Sequence, residues 1–443
     1  MVTHRWKIAL AAGAILACPA PALAQGSDLE TRVQALEALV QELQQELAAA
    51  RAEQVEADDA IVRLESAATE DRALRPSAQT ANADGFMVGD TRVRIGGFMD
   101  LDAHVTTLSD GAIASGSIAR DFYIPGATPV GGEETTTTDF TAESTRIFVN
   151  ASRDVNGRAA TGYLEVDFLG SLQGDERVSN SFSPRLRRAY LDYNGFRLGQ
   201  DWSTFQNTSA IPESASFLIL PDGMVFVRQA QIRYTNGPWQ FALENGDTTF
   251  TSVGGGRVEA DTNTIPDVVA RYNRSGNFGN YSVALLLRQL RADIAGVDDE
   301  AFGYALSVGG RLAMGPRDDL RFNLTGGEGV GRYIGLNAAN AAMVDPMTGD
   351  LEAVSSVGGL VAWRHAFGAD SRFNIGVSGL SIDNPDFAPG SSTSEVISGY
   401  AAVLTDIAPN VSLGVELMHG MRETEAGADG SISRFTFSTR YGF

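Results

Sequence analysis

Apolar and polar residues alternate one by one through most of this sequence, and no other feature restricts its fold as strongly. Across 93–105 the odd positions are Val93, Ile95, Gly97, Met99, Leu101, Ala103 and Val105, and the even ones are Arg94, Gly96, Phe98, Asp100, Asp102 and His104. Successive side chains of a β-strand point to opposite faces, so a period of two predicts a strand with one greasy face and one mainly polar face. The pattern returns at 145–154, 160–169, 185–193, 196–202, 229–234, 239–244, 266–272, 281–291, 303–312, 319–328, 355–366, 372–382, 396–406, 411–422 and 431–443, giving sixteen expected strands.

The connections alternate as well. Short turns at Asn156-Gly157, Asn194-Gly195, 236–238, Gly315-Pro316, Gly368-Ala369 and Pro409-Asn410 contrast with long stretches at 107–144, 203–228, 245–265 and 329–354. A soluble sandwich has no reason to keep tight turns at one end and long loops at the other, whereas an outer-membrane barrel does. A lipid-facing band around a wetted interior also produces dyad alternation, and in hydrocarbon only a closed barrel leaves no strand edge unpaired. The expected fold is therefore all-β: a sixteen-stranded antiparallel transmembrane barrel over 92–443. Its last strand puts Phe435, Phe437, Thr439, Tyr441 and Phe443 on one face, and Tyr441 with Phe443 reads as an outer-membrane assembly signal.

Charge narrows the partners. With 34 Lys and Arg against 55 Asp and Glu, the net charge of −21 argues against nucleic acid. The only lysine is Lys7, so nearly every cation is a guanidinium, the group that pairs bidentately with carboxylate and phosphate.

Upstream of the barrel the period changes. Residues 1–24 read as a secretory signal, with Arg5 and Lys7 before an apolar run at 8–17 and Ala22-Leu23-Ala24 as a small-x-small cleavage site. A lipoprotein signal at Cys18 is the rival reading, poorly served by Leu16 and Pro19. Cleavage after Ala24 would remove the only cysteine, and with it disulfides and thiol chemistry. From Leu29 the apolar positions recur in steps of four and three, predicting a left-handed coiled coil over 27–75 with Leu29, Val33, Leu36, Val40, Leu43, Leu47, Gln54, Ile61 and Leu64 in its seam. Such a helix needs partner chains, although packing onto its own domain is the competing account. The pairs Arg32 with Glu37 and Glu46 with Arg51 favour in-register copies of the same chain. Valine at a with leucine at d leans to two strands, while Leu39 and Gln54 weaken that lean. A polar linker at 76–91 joins coil to barrel.

One stretch points to a family. The runs Gly199-Gln200-Asp201-Trp202-Ser203-Thr204-Phe205, Pro212-Glu213 and Arg228-Gln229-Ala230-Gln231-Ile232-Arg233-Tyr234, with the order coiled coil, linker and barrel, resemble the DcaP-like porins of Gram-negative bacteria. The resemblance implies a homotrimer of sixteen-stranded barrels in outer-membrane lipid. It also implies a periplasmic coiled coil and passage of small anionic solutes, dicarboxylates above all. Contact of that coil with the cell wall is a separate expectation.

If the greasier face meets lipid, alternation assigns Arg94, Arg146, Arg188, Arg197, Arg233, Arg311, Arg321, Arg372, Arg434 and Arg440 to the lumen, together with Asp100, Asp102, Glu165, Asp167, Asp192 and Asp201. An arginine lining eases the passage of carboxylates. The competing account is a ladder of internal Arg–Asp pairs that merely fills the barrel. The connection 203–228 carries Phe217-Leu218-Ile219-Leu220, an odd run for a loop in water, and is expected to fold inward as a constriction with Arg188, Arg197, Arg228 and Arg233 around it. An extracellular cap or a subunit contact would use such a loop differently.

Catalytic readings find little support. His104, His365 and His419 stand singly, none at metal-ligand spacing, and His104 and His419 are expected on the polar face, away from any lipid-facing serine. No enzyme activity, metal or cofactor is expected. The functional expectation is a passive outer-membrane channel for mono- or dicarboxylates, and the alternative is a structural tether with a plugged barrel.

Overall fold

The computed structural model describes residues 85–170, 181–294 and 296–443. The signal sequence, the coiled coil and most of the linker lie outside the described residues.

Sixteen strands form the wall. They are β1 (Thr91–Leu108), β2 (Arg146–Val155), β3 (Arg158–Asp167), β4 (Arg185–Tyr193), β5 (Phe196–Trp202), β6 (Arg228–Asn236), β7 (Trp239–Glu244) and β8 (Asp267–Gly276). Then follow β9 (Gly279–Ile294), β10 (Val297–Ala313), β11 (Asp318–Glu328), β12 (Ser355–Ala366), β13 (Ser371–Asp383), β14 (Thr393–Ala408), β15 (Val411–Thr424) and β16 (Asp429–Gly442). Each pairs antiparallel with the next, and β16 closes on β1 from Phe98↔Gly442 to Leu108↔Ile432. Closure satisfies every backbone group that would otherwise face hydrocarbon, where an unpaired N–H or C=O costs several kcal/mol. No helix among the described residues is long and apolar enough to cross a membrane.

The expected strand windows reappear with small changes at their ends. The connection expected at 107–144 is partly strand: Thr135–Thr141 pairs with the upper half of β1, and β2 takes over against its lower half from Arg92 to Phe98. Two long connections also build a second, four-stranded sheet that periodicity did not reveal. It comprises Thr248–Thr251, Arg257–Ala260, Ala342–Val344 and Leu351–Ala353, packed through Phe250, Val344 and Leu351 onto Leu290 of β9.

The two faces separate as alternation requires. In β1, Asp100, Asp102, His104 and Thr106 are buried inside, while Met99, Leu101 and Val105 stand exposed on the outside. Such an apolar exterior is stable only in lipid. Aromatic pairs mark the rim beside the short turns, with Phe196 4.8 Å from Tyr234 and Trp239 5.0 Å from Tyr272, as expected of rings at a membrane–water interface. The tight hairpins at Asn156-Gly157 and Asn194-Gly195 hold all four residues at positive φ, which suits the right-handed twist of the strands they join.

Candidate functional site

The interior is narrowed by chain that enters from three connections. The segment 203–227 leaves β5, and its ends stay together through the Ser203 N–H bonded to the Val227 carbonyl at 3.0 Å. Between them the segment runs along the far inner wall. Asn207 donates to Ser282 on β9 and to the Gly309 carbonyl on β10, and the Ile211 carbonyl accepts from Arg321 on β11. Glu213 accepts from Arg372 on β13, and the Ala215 N–H and Ser216 hydroxyl both donate to Glu416 on β15. The return leg passes so close to β12 that a Cβ on Gly223 would lie 2.2 Å from the Gly359 backbone, so glycine is required there. The apolar run does fold inward: Ile219 and Leu220 bury against Tyr400, Ala402 and Met418, and Phe217 packs on Phe122 from the first connection. A third connection meets it where the Phe226 N–H bonds to the Tyr333 carbonyl and the Gly335 N–H to the Met224 carbonyl.

Asp222 ties this segment to two neighbours, accepting from the Tyr123 hydroxyl at 2.8 Å and from Ser398. Burial pushes its carboxyl from an ordinary 3.8 up to about 6, against the lowering effect of the bonds from Ser398 and Tyr123. The folded state therefore holds this proton more tightly than the unfolded chain, and the group's contribution to folding stability is greatest below about pH 4 and is lost as pH rises through about 6. Thermal stability measured at pH 5 is expected to exceed that at pH 7.5, and Asp222→Asn should flatten the difference. An equal pH response in that variant would place the titrating group elsewhere.

Opposite the far wall, β2 to β6 carry a dense charged cluster. Arg188, Arg197 and Arg233 all converge on one buried carboxylate, Asp201. Arg188 Nε lies 2.6 Å from Oδ1, Arg197 bonds Oδ2, and Arg233 Nη2 lies 3.7 Å from Oδ2. Arg197 also forms a two-bond fork with Asp192, at 2.8 Å for both. Next along the wall, Glu165 takes Arg187 at 2.6 Å and Arg146 at 3.7 Å, and Asp167 takes Arg185 and Arg187. Arg440 closes the ladder on Asp100 at 2.7 Å. Arg228 lies over Trp202, 4.8 Å from its ring centre.

Of the arginines singled out in sequence, Arg146, Arg188, Arg197, Arg228 and Arg233 thus gather on this wall. Arg321 lies across the lumen with Asp319 and Glu213, and Arg311 stands opposite it on the neighbouring strand. Arg94 sits toward the short-turn rim over Phe148.

Alternation missed Arg187. A bulge between Glu165↔Arg188 and Val166↔Leu186 leaves it as an extra residue in β4, so that Arg187 and Arg188 both turn inward and Leu186 turns out. Arg187 is fully buried, with Trp202 and Phe217 on its faces as well as its two carboxylates. The run Arg187-Arg188 was the only signal, since two adjacent arginines in a wall strand cannot both avoid lipid without a bulge.

One histidine assignment is corrected. His104 does face inward, with Nδ1 2.9 Å from Thr436 Oγ1, but His419 stands on the outer face beside Ser433, Nδ1 to Oγ 2.9 Å. Met418, not His419, takes the inner position, because both faces of β15 are apolar there and hydropathy alone does not fix the phase.

A sixteen-stranded barrel with charged lumen, greasy exterior and an inward segment after the fifth strand defines a porin-type outer-membrane protein. The model of the DcaP outer membrane protein family matches residues 55–443, and the chain belongs to that family. Among solved structures it is similar to the outer membrane channel DcaP of Acinetobacter baumannii, with 22% identity and a TM-score of 0.69 over 81% of this chain and all of that one. It is also similar to an anion-selective porin from Comamonas acidovorans, with 11% identity and a TM-score of 0.51 over 80% of this chain and all of that one. No curated protein matches the sequence.

Proposed function

We propose that this protein is a diffusion channel for small anionic solutes, mono- or dicarboxylates, which pass between the inward segment 203–227 and the arginine wall of β2 to β6. The observation that carries this reading is the gathering of Arg188, Arg197 and Arg233 at Asp201 on one side of the lumen. Asp192 and Glu165 share these arginines with Asp201, and a wall so rich in guanidinium groups lowers the barrier to an anion that sheds part of its hydration. The names of the two similar structures, a channel and an anion-selective porin, support the same assignment. In this reading the protein works as a homotrimer, drawn together in the periplasm by the helices at 27–75, and Tyr441 and Phe443 direct its assembly into the membrane.

Reversal potentials across planar bilayers test the proposal. Wild-type protein is expected to favour anions, and Arg188→Ala, Arg197→Ala and Arg233→Ala each to lower that preference. Each lost charge-assisted hydrogen bond is worth about 1.5–3 kcal/mol, so carboxylate flux should fall roughly tenfold. Lysine at these positions should restore charge preference but less of the carboxylate preference, because ammonium cannot bind bidentately. Unchanged potentials in all three alanine variants would move the filter elsewhere, and a silent barrel would favour the structural tether.

A further inference from the structure

Glu213 is the one carboxylate of the inward segment that meets a cluster of wall arginines. Arg321, Arg364 and Arg372 come from three successive strands, β11, β12 and β13, and converge on it. Arg372 Nε lies 2.6 Å from Oε2, while Arg364 Nε and Arg321 Nη2 lie 3.3 and 3.4 Å from Oε1. Burial alone would raise this carboxyl, yet Arg321, Arg372 and Arg364 outweigh it and hold Glu213 below the usual carboxylate range, charged throughout the physiological range.

The three arginines do not depend on Glu213 for their positions. Asp319 holds Arg321 at 3.0 Å and Arg364 at 3.4 Å, and Asp406 holds Arg372 at 3.2 Å. Nor does the segment depend on Glu213 for its course. Asn207 stays bonded to β9 and β10, Ala215 and Ser216 to Glu416, and Gly223 to Ser378. The result is a prepared nest of guanidinium groups, fixed by the wall, that a carboxylate delivered by a separate piece of chain fills. Arg364 and Arg372 keep 23% and 12% of their side-chain surface open, so the nest can be reached.

We infer that Arg321, Arg364 and Arg372 form a binding site for a solute carboxylate, and that Glu213 occupies it as an internal ligand which the solute displaces. The inference deepens the anion-channel reading and rests on it. Exchange of one carboxylate for another conserves the charge-assisted hydrogen bonds and asks only for a swing of the Glu213 side chain. Binding is therefore weak and release quick, as a conducting pathway requires. Without Glu213 the nest holds three guanidinium groups against two carboxylates, and an added anion is favoured.

The test uses the full chain in planar bilayers, with succinate as a blocker of chloride current. Glu213→Gln keeps the side chain's size but removes its charge, and should tighten succinate block about tenfold, the worth of one charge-assisted hydrogen bond. Adding Arg372→Ala to that variant should cancel the gain. Should Glu213→Gln not insert, Glu213→Asp, which draws the carboxylate back from Arg372, must shift block in the same direction. Succinate block that is unchanged or weaker in these variants, in a wild-type channel that prefers anions, overturns this inference alone. A wild-type channel without anion preference overturns the channel reading itself.

Discussion

Asp201→Asn is expected to be the most damaging single substitution in the wall. Asp201 accepts from Arg188 through Oδ1 and from Arg197 through Oδ2, with Arg233 alongside, and none of its surface is exposed. An asparagine keeps one acceptor and turns its amide donors toward guanidinium donors, so Arg188, Arg197 and Arg233 lose the buried carboxylate they share. Breaking a buried ion pair from one side costs about 3–5 kcal/mol, and here three partners lose the same carboxylate. The temperature at which the folded band disappears on unheated versus heated electrophoresis should drop sharply. Combining Asp201→Asn with Arg233→Gln should recover part of the loss, since it removes a guanidinium whose ion pair was with that carboxylate while leaving the Arg197–Asp192 fork intact. An Asp201→Asn barrel as heat-stable as wild type would mean that water or ions already screen this cluster.

Excising the inward segment should have the largest effect on transport. The Ser203 N–H and Val227 carbonyl are already bonded, so replacing 205–225 by a short glycine–serine link spans no gap. The excised stretch supplies no rung of the barrel, and β5 and β6 remain paired from Phe196↔Tyr234 to Trp202↔Arg228. Insertion should survive, although buried residues such as Ile219 and Leu220 each forfeit about 1.5–3 kcal/mol. Single-channel conductance should rise several-fold and discrimination among carboxylates should largely disappear. Conductance equal to wild type would show that the narrowest point lies in another connection, with Tyr123 or Tyr333 as the first places to look.

The wall was legible in the sequence because each strand must satisfy two solvents at once, lipid outside and a charged lumen inside, which writes a period of two into residues such as 93–105. The inward course of 203–227 was legible for a related reason: Phe217 to Leu220 has no stable place in water. The rest depended on contacts between distant pieces of chain. Nothing near Glu213 in sequence announces Arg321, Arg364 and Arg372, which lie more than a hundred residues away. The small sheet built from 248–260 and 342–353 was hidden because its strands are only three or four residues long, too short for a period to register. His419 was misplaced where β15 is apolar on both faces, and Arg187 where one residue falls out of step.

That single residue separates two properties of the strand that usually travel together, its composition and its parity. Below the bulge β4 obeys one odd–even rule and above it the opposite one, so Leu186 meets lipid while Arg187 and Arg188 both meet the lumen. The electrical character of the passage is thus set partly by counting. Gaining or losing one residue in a wall strand moves whole groups of charges from one side of the membrane wall to the other without altering strand number, closure or overall charge balance along the chain. Barrels of this build can therefore change their lining through insertions and deletions too small to register as a change of fold, and comparison by aligned substitutions alone would overlook them.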